Sequence, residues 1–428
     1  AGGRAASAGG GGTRASASAS ASAWAWGLAS PFPALNAARR AHNFSPGPGM
    51  LPTAVMERAQ REFMDFAGMG MGVIEVTNLD ALGASHPGVA KHPLQQMMLD
   101  TERKLREALD VPESHRVLFM HGGAVGQFSA VPLNLLPGGE AEPARADYVQ
   151  MGFWTQRAMA EAEKYCDVHV PATFEKAILP VSEWRANVRS DAAYVHLCAN
   201  ETVQGMEYHD DPEWDESLPP LVLDATSTLL SRPMDVARYG VVYASGGKNL
   251  PAGVCVVIVR ESLLKERQAH PLCPQIMDYR MNGGGLMPSP SVFESRPNTP
   301  PTFGVYMLGL VLDDLRDAKG GLHAVQEWVT ARASRVYDAV DSSDGYYVNT
   351  VDASARSRMN VVFNIAGGKE VERRFVAEAE AEGLFALFGH PIGGGVRITL
   401  YNGVPDAAVD AVIGFMQSFK AANNSSAS

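Results

Sequence analysis

Leu221-Val222-Leu223-Asp224 and Tyr239-Gly240-Val241-Val242-Tyr243-Ala244-Ser245-Gly246-Gly247-Lys248 are two short apolar runs, one ending on a carboxylate and the other turning through glycine onto an amine 24 residues later. Apolar runs of four to six residues, closed by turn residues and lacking alternation, predict strands buried on both faces. Further runs of the same kind lie on either side: Arg116 to Met120, Tyr148-Val149, Ala193 to Leu197 and Val254 to Val259. Helical spacing fills the gaps, for example Leu94, Met98, Thr101, Leu105 and Leu109 on one face of 94–110, and a helix near 155–164. Strand, glycine turn and helix in repetition predict an α/β fold with a mainly parallel sheet, of the seven-stranded type, covered by helices.

After a helix at about 303–317 the Gly320-Gly321 break leads into helix, strand, helix, strand, helix over 322–421, a smaller α+β set. The expected organisation is therefore a leader (1–42), an N-terminal segment packing with the small domain (43–55), a large domain (56–321), a small C-terminal domain (322–422) and a tail (423–428). The chain has 428 residues, 46% of them hydrophobic, which is ample for two lobes. Every apolar run is cut by a charge, Gly or Pro well short of a membrane span. The net charge of −11, with no Lys/Arg stripe, argues against nucleic acid as a partner. Cys166, Cys198, Cys255 and Cys273 have no CxxC spacing, so free thiols are expected and no metal site. The leader holds Arg4, Arg14, Arg39 and Arg40 but no acid, and is rich in Ala, Ser and Gly. That composition suits an organelle transit peptide, with a plastid ahead of a mitochondrion, and an unaddressed cytoplasmic tail as the alternative.

Ligands of open α/β sheets gather beyond the carboxyl ends of strands, where Asp224 and Lys248 both fall. Pyridoxal 5'-phosphate (PLP) requires this pair: an amine to hold it as a Schiff base, and an acid to keep its ring nitrogen protonated. Lys104, Lys164, Lys265 and Lys420 lie in charged amphipathic helices, whereas Lys248 stands in a Gly-rich turn between apolar strands. The turn His121-Gly122-Gly123-Ala124-Val125-Gly126 precedes a helix and offers backbone N–H groups to a phosphate, without the GxGxxG spacing of a dinucleotide site. Trp154 follows a strand and is a candidate to stack on the pyridine ring.

From about Asn43 to Lys420 the chain resembles the phosphoserine aminotransferases. The likeness is carried by Gly126-Gln127-Phe128-Ser129-Ala130-Val131-Pro132-Leu133-Asn134, Ala199-Asn200-Glu201-Thr202-Val203, Ser231-Arg232-Pro233, Asn298-Thr299-Pro300-Pro301, Ser357-Arg358-Met359-Asn360, and Arg397 before Leu400-Tyr401-Asn402. The resemblance implies a homodimeric fold-type I PLP aminotransferase that moves an amino group between glutamate and 3-phosphohydroxypyruvate. It implies Lys248 as the Schiff-base lysine, Asp224 as the ring-nitrogen partner, Trp154 as the stacking aromatic and Thr202 near the ring hydroxyl. Ala124 and Val125 would hold the cofactor phosphate, joined by Asn298 and Thr299 from the other subunit. Arg397 would hold the substrate α-carboxylate, a task suited to a planar fork of donors.

Three positions depart from the family pattern. Ser85-His86-Pro87 and Gly389-His390-Pro391 carry proline where arginines that clamp the substrate's distal anion are expected, and Gly247 replaces a glutamine that contacts the cofactor phosphate. His86 and His390 remain as candidate substrate ligands, with Arg296 as a candidate compensating cation. Two alternatives follow: an aminotransferase for an amino or keto acid without phosphate, and a PLP-binding paralogue with little catalysis.

Overall fold

A computed structural model of the chain describes residues 40–76, 93–137, 144–284, 295, 297–391 and 394–424. The central sheet has seven strands in the order His115–Met120, Cys255–Arg260, Val241–Ser245, Leu221–Asp224, Val195–Cys198, Arg145–Tyr148 and Asp167–His169. Six run parallel, and Cys255–Arg260 runs against both of its neighbours. Val195–Cys198 and Leu221–Asp224 are buried along their whole length, which is why the sequence shows continuous apolar runs rather than alternation.

Successive residues of these strands feed two cores. Leu223, Val242, Ala244 and Ile258 pack on one face with residues of the helices Pro93–Leu109 and Thr302–Asp317. Val222, Val241, Tyr243 and Val257 pack on the other with residues of Gly123–Leu135 and Phe153–Ala162. All five residues expected on the inner face of the 94–110 helix are buried.

A second, four-stranded antiparallel sheet is ordered Tyr347–Val348, Asn360–Ile365, Gly394–Thr399 and Phe388–His390. Its core includes Phe363, Phe375 and Phe415 together with Phe44 and Met50, and the strand His42–Asn43 pairs with Leu384–Phe385. The helix Leu322–Asp341 serves both cores: Leu322, Val325 and Val329 join the large one, Ala333, Val336 and Val340 the small one. Residues from Ala41 onward form one compact unit. The four cysteines are free, and no helix among the described residues is long and apolar enough to cross a membrane.

A buried polar seam joins the short antiparallel pair Asn200–Glu201 and Met206–Glu207, which follows the strand Val195–Cys198, to the start of the small sheet. Glu207, fully buried, accepts from Arg358 Nε at 2.9 Å and from the Arg358 backbone N–H at 2.6 Å. Nearby, Asn200 Nδ2 donates to Asn360 Oδ1 at 3.0 Å. Arg358→Ala would leave the Glu207 carboxylate buried without its cation. Urea denaturation is expected to show a loss of about 3–5 kcal/mol, and a loss under about 1 kcal/mol would refute this account of the seam.

Candidate active site

The carboxyl ends of three adjacent parallel strands meet at one cavity of about 230 Å³, where Cys198, Asp224 and Ser245 stand together. Strand register aligns Cys198, Asp224 and Tyr243 in a row. Lys248 enters the same cavity from the turn that follows Ser245, with its Nζ 5.7 Å from the centroid of the Trp154 ring and 5.9 Å from that of Tyr401. The turn is pinned on both sides. The Gly247 carbonyl accepts from Gly49 N–H at 2.8 Å, and the Gly247 and Lys248 N–H groups both donate to the Leu250 carbonyl. The next residue, buried Asn249, donates to the Leu229 carbonyl and accepts from Asn402 N–H. An amine on such a turn has few positions open to it.

Asp224 is 5% exposed, and burial pushes its carboxyl above the ordinary aspartate range. Hydrogen bonds from Thr226, including its backbone N–H at 2.9 Å, the Lys248 charge and the Tyr243 hydroxyl pull the other way. Trp154 is held by its own network. Its indole N–H donates to Thr202 Oγ1 at 2.9 Å, and its backbone N–H to Glu201. Glu201 also accepts from the Thr155 backbone and hydroxyl, both at 2.7 Å, so a buried carboxylate caps the start of the helix Phe153–Ala162. The ring is thereby fixed as one wall of the cavity.

At the cavity's other end stands the N-terminus of the helix Gly123–Leu135, which has no side-chain cap. Its first intrahelical bond is Gly126 N–H to the Gly122 carbonyl, so the N–H groups of Gly123, Ala124 and Val125 lie ahead of the helical ladder. Gly122 and Gly123 have φ of +90° and +58°, and a Cβ on Gly123 would come within 2.8 Å of Ser245 Oγ. Glycine is required there by both backbone and space. An uncapped helix start with its dipole facing a cavity is a site for an anion.

The structure brings Lys248, Asp224, Trp154, Thr202, Ala124 and Val125 together around this cavity. Arg397 stands behind Thr202, donating to its carbonyl at 3.0 Å. Burial lowers the Arg397 pKa, its Nε is buried without a hydrogen-bond partner, and no carboxylate among the described residues forms an ion pair with it. Next to it the His390 ring lies 4.7 Å from Phe153, its pKa lowered by burial and by the Arg397 charge. Gly247, named as a cofactor-contacting position by the resemblance, is not among the residues lining the cavity; its N–H donates to the Leu250 carbonyl and its carbonyl accepts from Gly49 N–H. Asn298 and Thr299 also lie outside the lining, on an exposed segment where the Thr299 carbonyl meets His121 Nε2 at 3.0 Å. His86, Pro87 and Arg296 fall outside the described residues.

The sequence reading did not single out Cys198, Asn200, Thr226, Ser227 or Ser245, which also line the cavity. A signal existed for each, since all five lie at the carboxyl end of a core strand or within three residues of it. The donor set fits PLP: a flexible amine, a buried carboxylate, an aromatic wall and an N–H cradle for a phosphate, with Asn200 Oδ1 buried and unpartnered beside them.

The class-V aminotransferase family matches residues 41–382. A phosphoserine aminotransferase of Hahella chejuensis is 41% identical over 391 residues, covering 90% of this chain and 99% of its own. The solved phosphoserine aminotransferase of Bacillus circulans subsp. alkalophilus superposes with a TM-score of 0.79 at 37% identity, over 90% of this chain and 99% of that one. A PLP-bound phosphoserine aminotransferase of Trichomonas vaginalis gives a TM-score of 0.77 at 33% identity, over 88% and 100%. A likeness that spans nine-tenths of the chain at 37–41% identity places it in a family: the chain belongs to the class-V aminotransferases, among the phosphoserine aminotransferases.

Proposed function

We propose that the protein transfers the amino group of glutamate to 3-phosphohydroxypyruvate, giving O-phosphoserine and 2-oxoglutarate for serine biosynthesis, and that it works as a homodimer. The observation that carries this reading is the convergence of Lys248, Asp224 and the uncapped helix on one cavity in a chain with whole-length relatives of that activity. Bound PLP supplies an acceptor for the electron pair left when the substrate's Cα–H bond breaks. Lys248 anchors the cofactor and then moves the Cα proton. Asp224 holds the proton at the ring nitrogen, Trp154 covers the ring, and Gly123, Ala124 and Val125 take the phosphate. Arg397, a cation buried without a carboxylate partner among the described residues, takes the substrate α-carboxylate. Asn298 and Thr299 are exposed and do not line the cavity that Lys248 enters, which supports a role for them at the partner subunit's phosphate site.

Purified protein is expected to show the visible band of bound PLP and to convert phosphoserine and 2-oxoglutarate. Lys248→Ala should abolish the lysine-linked band and lower kcat by about a thousandfold or more. A band without phosphoserine turnover would overturn the substrate and leave the cofactor standing.

Pro391 favours a second reading, a substrate without phosphate. It is exposed, and neither its ring nor its backbone offers a donor to a distal anion. Under that reading Pro87→Arg with Pro391→Arg raises kcat/KM for phosphoserine at least about a hundredfold, since each charge-assisted contact contributes about 2–3 kcal/mol. Under the first reading the double variant leaves it nearly unchanged.

We also propose that residues 1–42 direct the chain to a plastid, on the strength of four arginines, no acids and abundant Ala and Ser. A fluorescent reporter carrying residues 1–42 is expected to coincide with chlorophyll in a photosynthetic cell. Mitochondrial or diffuse signal would overturn it.

A further inference from the structure

Arg332 is a cation buried outside the cavity, 1% exposed, on the helix Leu322–Asp341 between Val329 of the large core and Ala333 of the small one. Burial lowers its pKa to about 10, which leaves it charged at neutral pH. No carboxylate among the described residues forms an ion pair with it, and Asp406, whose charge acts on it, accepts instead from Trp328 Nε1 at 2.9 Å. The guanidinium carbon lies 3.5 Å from the centroid of the Trp328 ring, and Nε has no hydrogen-bond partner. The remaining donors reach a single turn: Nη1 donates to the Val404 carbonyl, and Nη2 to the Leu400 carbonyl at 2.9 Å. A planar fork of donors suits two carbonyls at the ends of one turn; a compact ammonium does so less well, and an apolar side chain not at all.

The turn so bracketed grips the residues on both sides of Lys248. On the far side, Asn402 N–H donates to Asn249 Oδ1 at 3.0 Å, and Asn402 Nδ2 to the Leu230 carbonyl at 2.6 Å. On the near side, the Tyr401 ring packs against Gly49, where a Cβ would come within 2.6 Å of it, and the Gly49 N–H is the donor that holds the Gly247 carbonyl. Tyr401 Oη secures the same segment by donating to the Pro46 carbonyl at 3.0 Å. Gly403 leaves the turn no slack, since a Cβ there would collide with the Met50 carbonyl.

We infer that Arg332 is a positioning residue for Lys248, acting through the turn 400–404 on Gly247 and Asn249. The inference rests on Lys248 as the anchor of PLP and adds what keeps the anchor still. Arg332 stands where the two cores meet along one helix, so its fork ties the turn to an element that both cores hold. Without the fork, two carbonyls lose a charge-assisted donor and the turn loosens. The amine then samples more positions, and a site held less firmly binds its cofactor less well.

PLP retention and orientation test this without turnover. Holoenzyme is dialysed and the PLP left is measured, together with the circular dichroism that the protein imposes on the cofactor's visible band. Arg332→Lys, which keeps the charge and lacks the planar fork, is expected to weaken PLP binding about tenfold and to reduce the dichroism at saturating PLP. Arg332→Met should do more. Because part of the effect passes through Asn249, Arg332→Lys combined with Asn249→Ala should weaken binding by well under the product of the two single changes. A role confined to folding would lower the urea midpoint while the folded protein kept its retention and dichroism, and that result in Arg332→Lys would overturn the inference. So would effects of Arg332→Lys and Asn249→Ala that multiply in full. Where Arg332→Met fails to fold, Arg332→Lys alone decides. Absence of the visible band from the unaltered protein would overturn the cofactor reading itself, and this inference with it.

Discussion

A carboxylate at the end of a core strand is costly to bury, and the surroundings of Asp224 are arranged around that cost. An isolated charge in a protein interior either loses its ionisation or acquires partners. Here the partners come from three directions. The Lys248 turn is pinned by Gly49, Leu250 and Asn249 so that a cation stays near. Thr226 curls back to donate within the same strand end. The register of the next strand delivers the Tyr243 hydroxyl. All three depend on parallel strands ending together, and that in turn depends on the helices that cover both faces of the sheet.

The remaining polar groups of the site show the opposite condition. Arg397 is a buried cation, and the helix start at Gly123 is an uncapped set of donors. Left alone, both destabilise the fold. Both suit anions, and under the proposed function these would be the substrate's α-carboxylate for the one and the cofactor's phosphate for the other. Local stability given up in this way fits a site made for ligands, and the Glu207–Arg358 pair ties the segment leading into the small sheet, which carries Arg397, to the short antiparallel pair beyond Cys198.

Legibility in the sequence followed burial. Strands buried on both faces, such as Leu221–Asp224 and Val241–Ser245, stood out as unbroken apolar runs, and the helices Pro93–Leu109 and Leu322–Asp341 as periodic ones. The half-buried edge strands Asp167–His169 and Phe388–His390 carry no such signal. Nor does the reversed direction of Cys255–Arg260, because a strand covered on both faces has the same composition whichever way it runs. In the site, Lys248 and Asp224 were readable because an ionisable residue at the end of an apolar strand is rare. Behind the site His196 was not, being one polar residue inside a buried strand whose contact is with Tyr243, 47 residues away.

The cofactor end and the substrate end of the cavity differ in how they recognise charge. The cradle proposed for the phosphate would be built from backbone N–H groups, and backbone tolerates any side chain that permits the turn, so Gly122 and Gly123 matter while Ala124 and Val125 need only be small or face outward. The distal substrate anion has no such scaffold among the described residues. Beyond the cavity, the strand Phe388–His390 ends on Pro391, and its neighbour His390 presents a neutral-leaning ring beside the Arg397 charge. A backbone cradle survives sequence change because its chemistry is the same at every residue but proline. A side-chain clamp is lost with a single codon, and proline is the replacement that leaves neither a charge nor an N–H in its place.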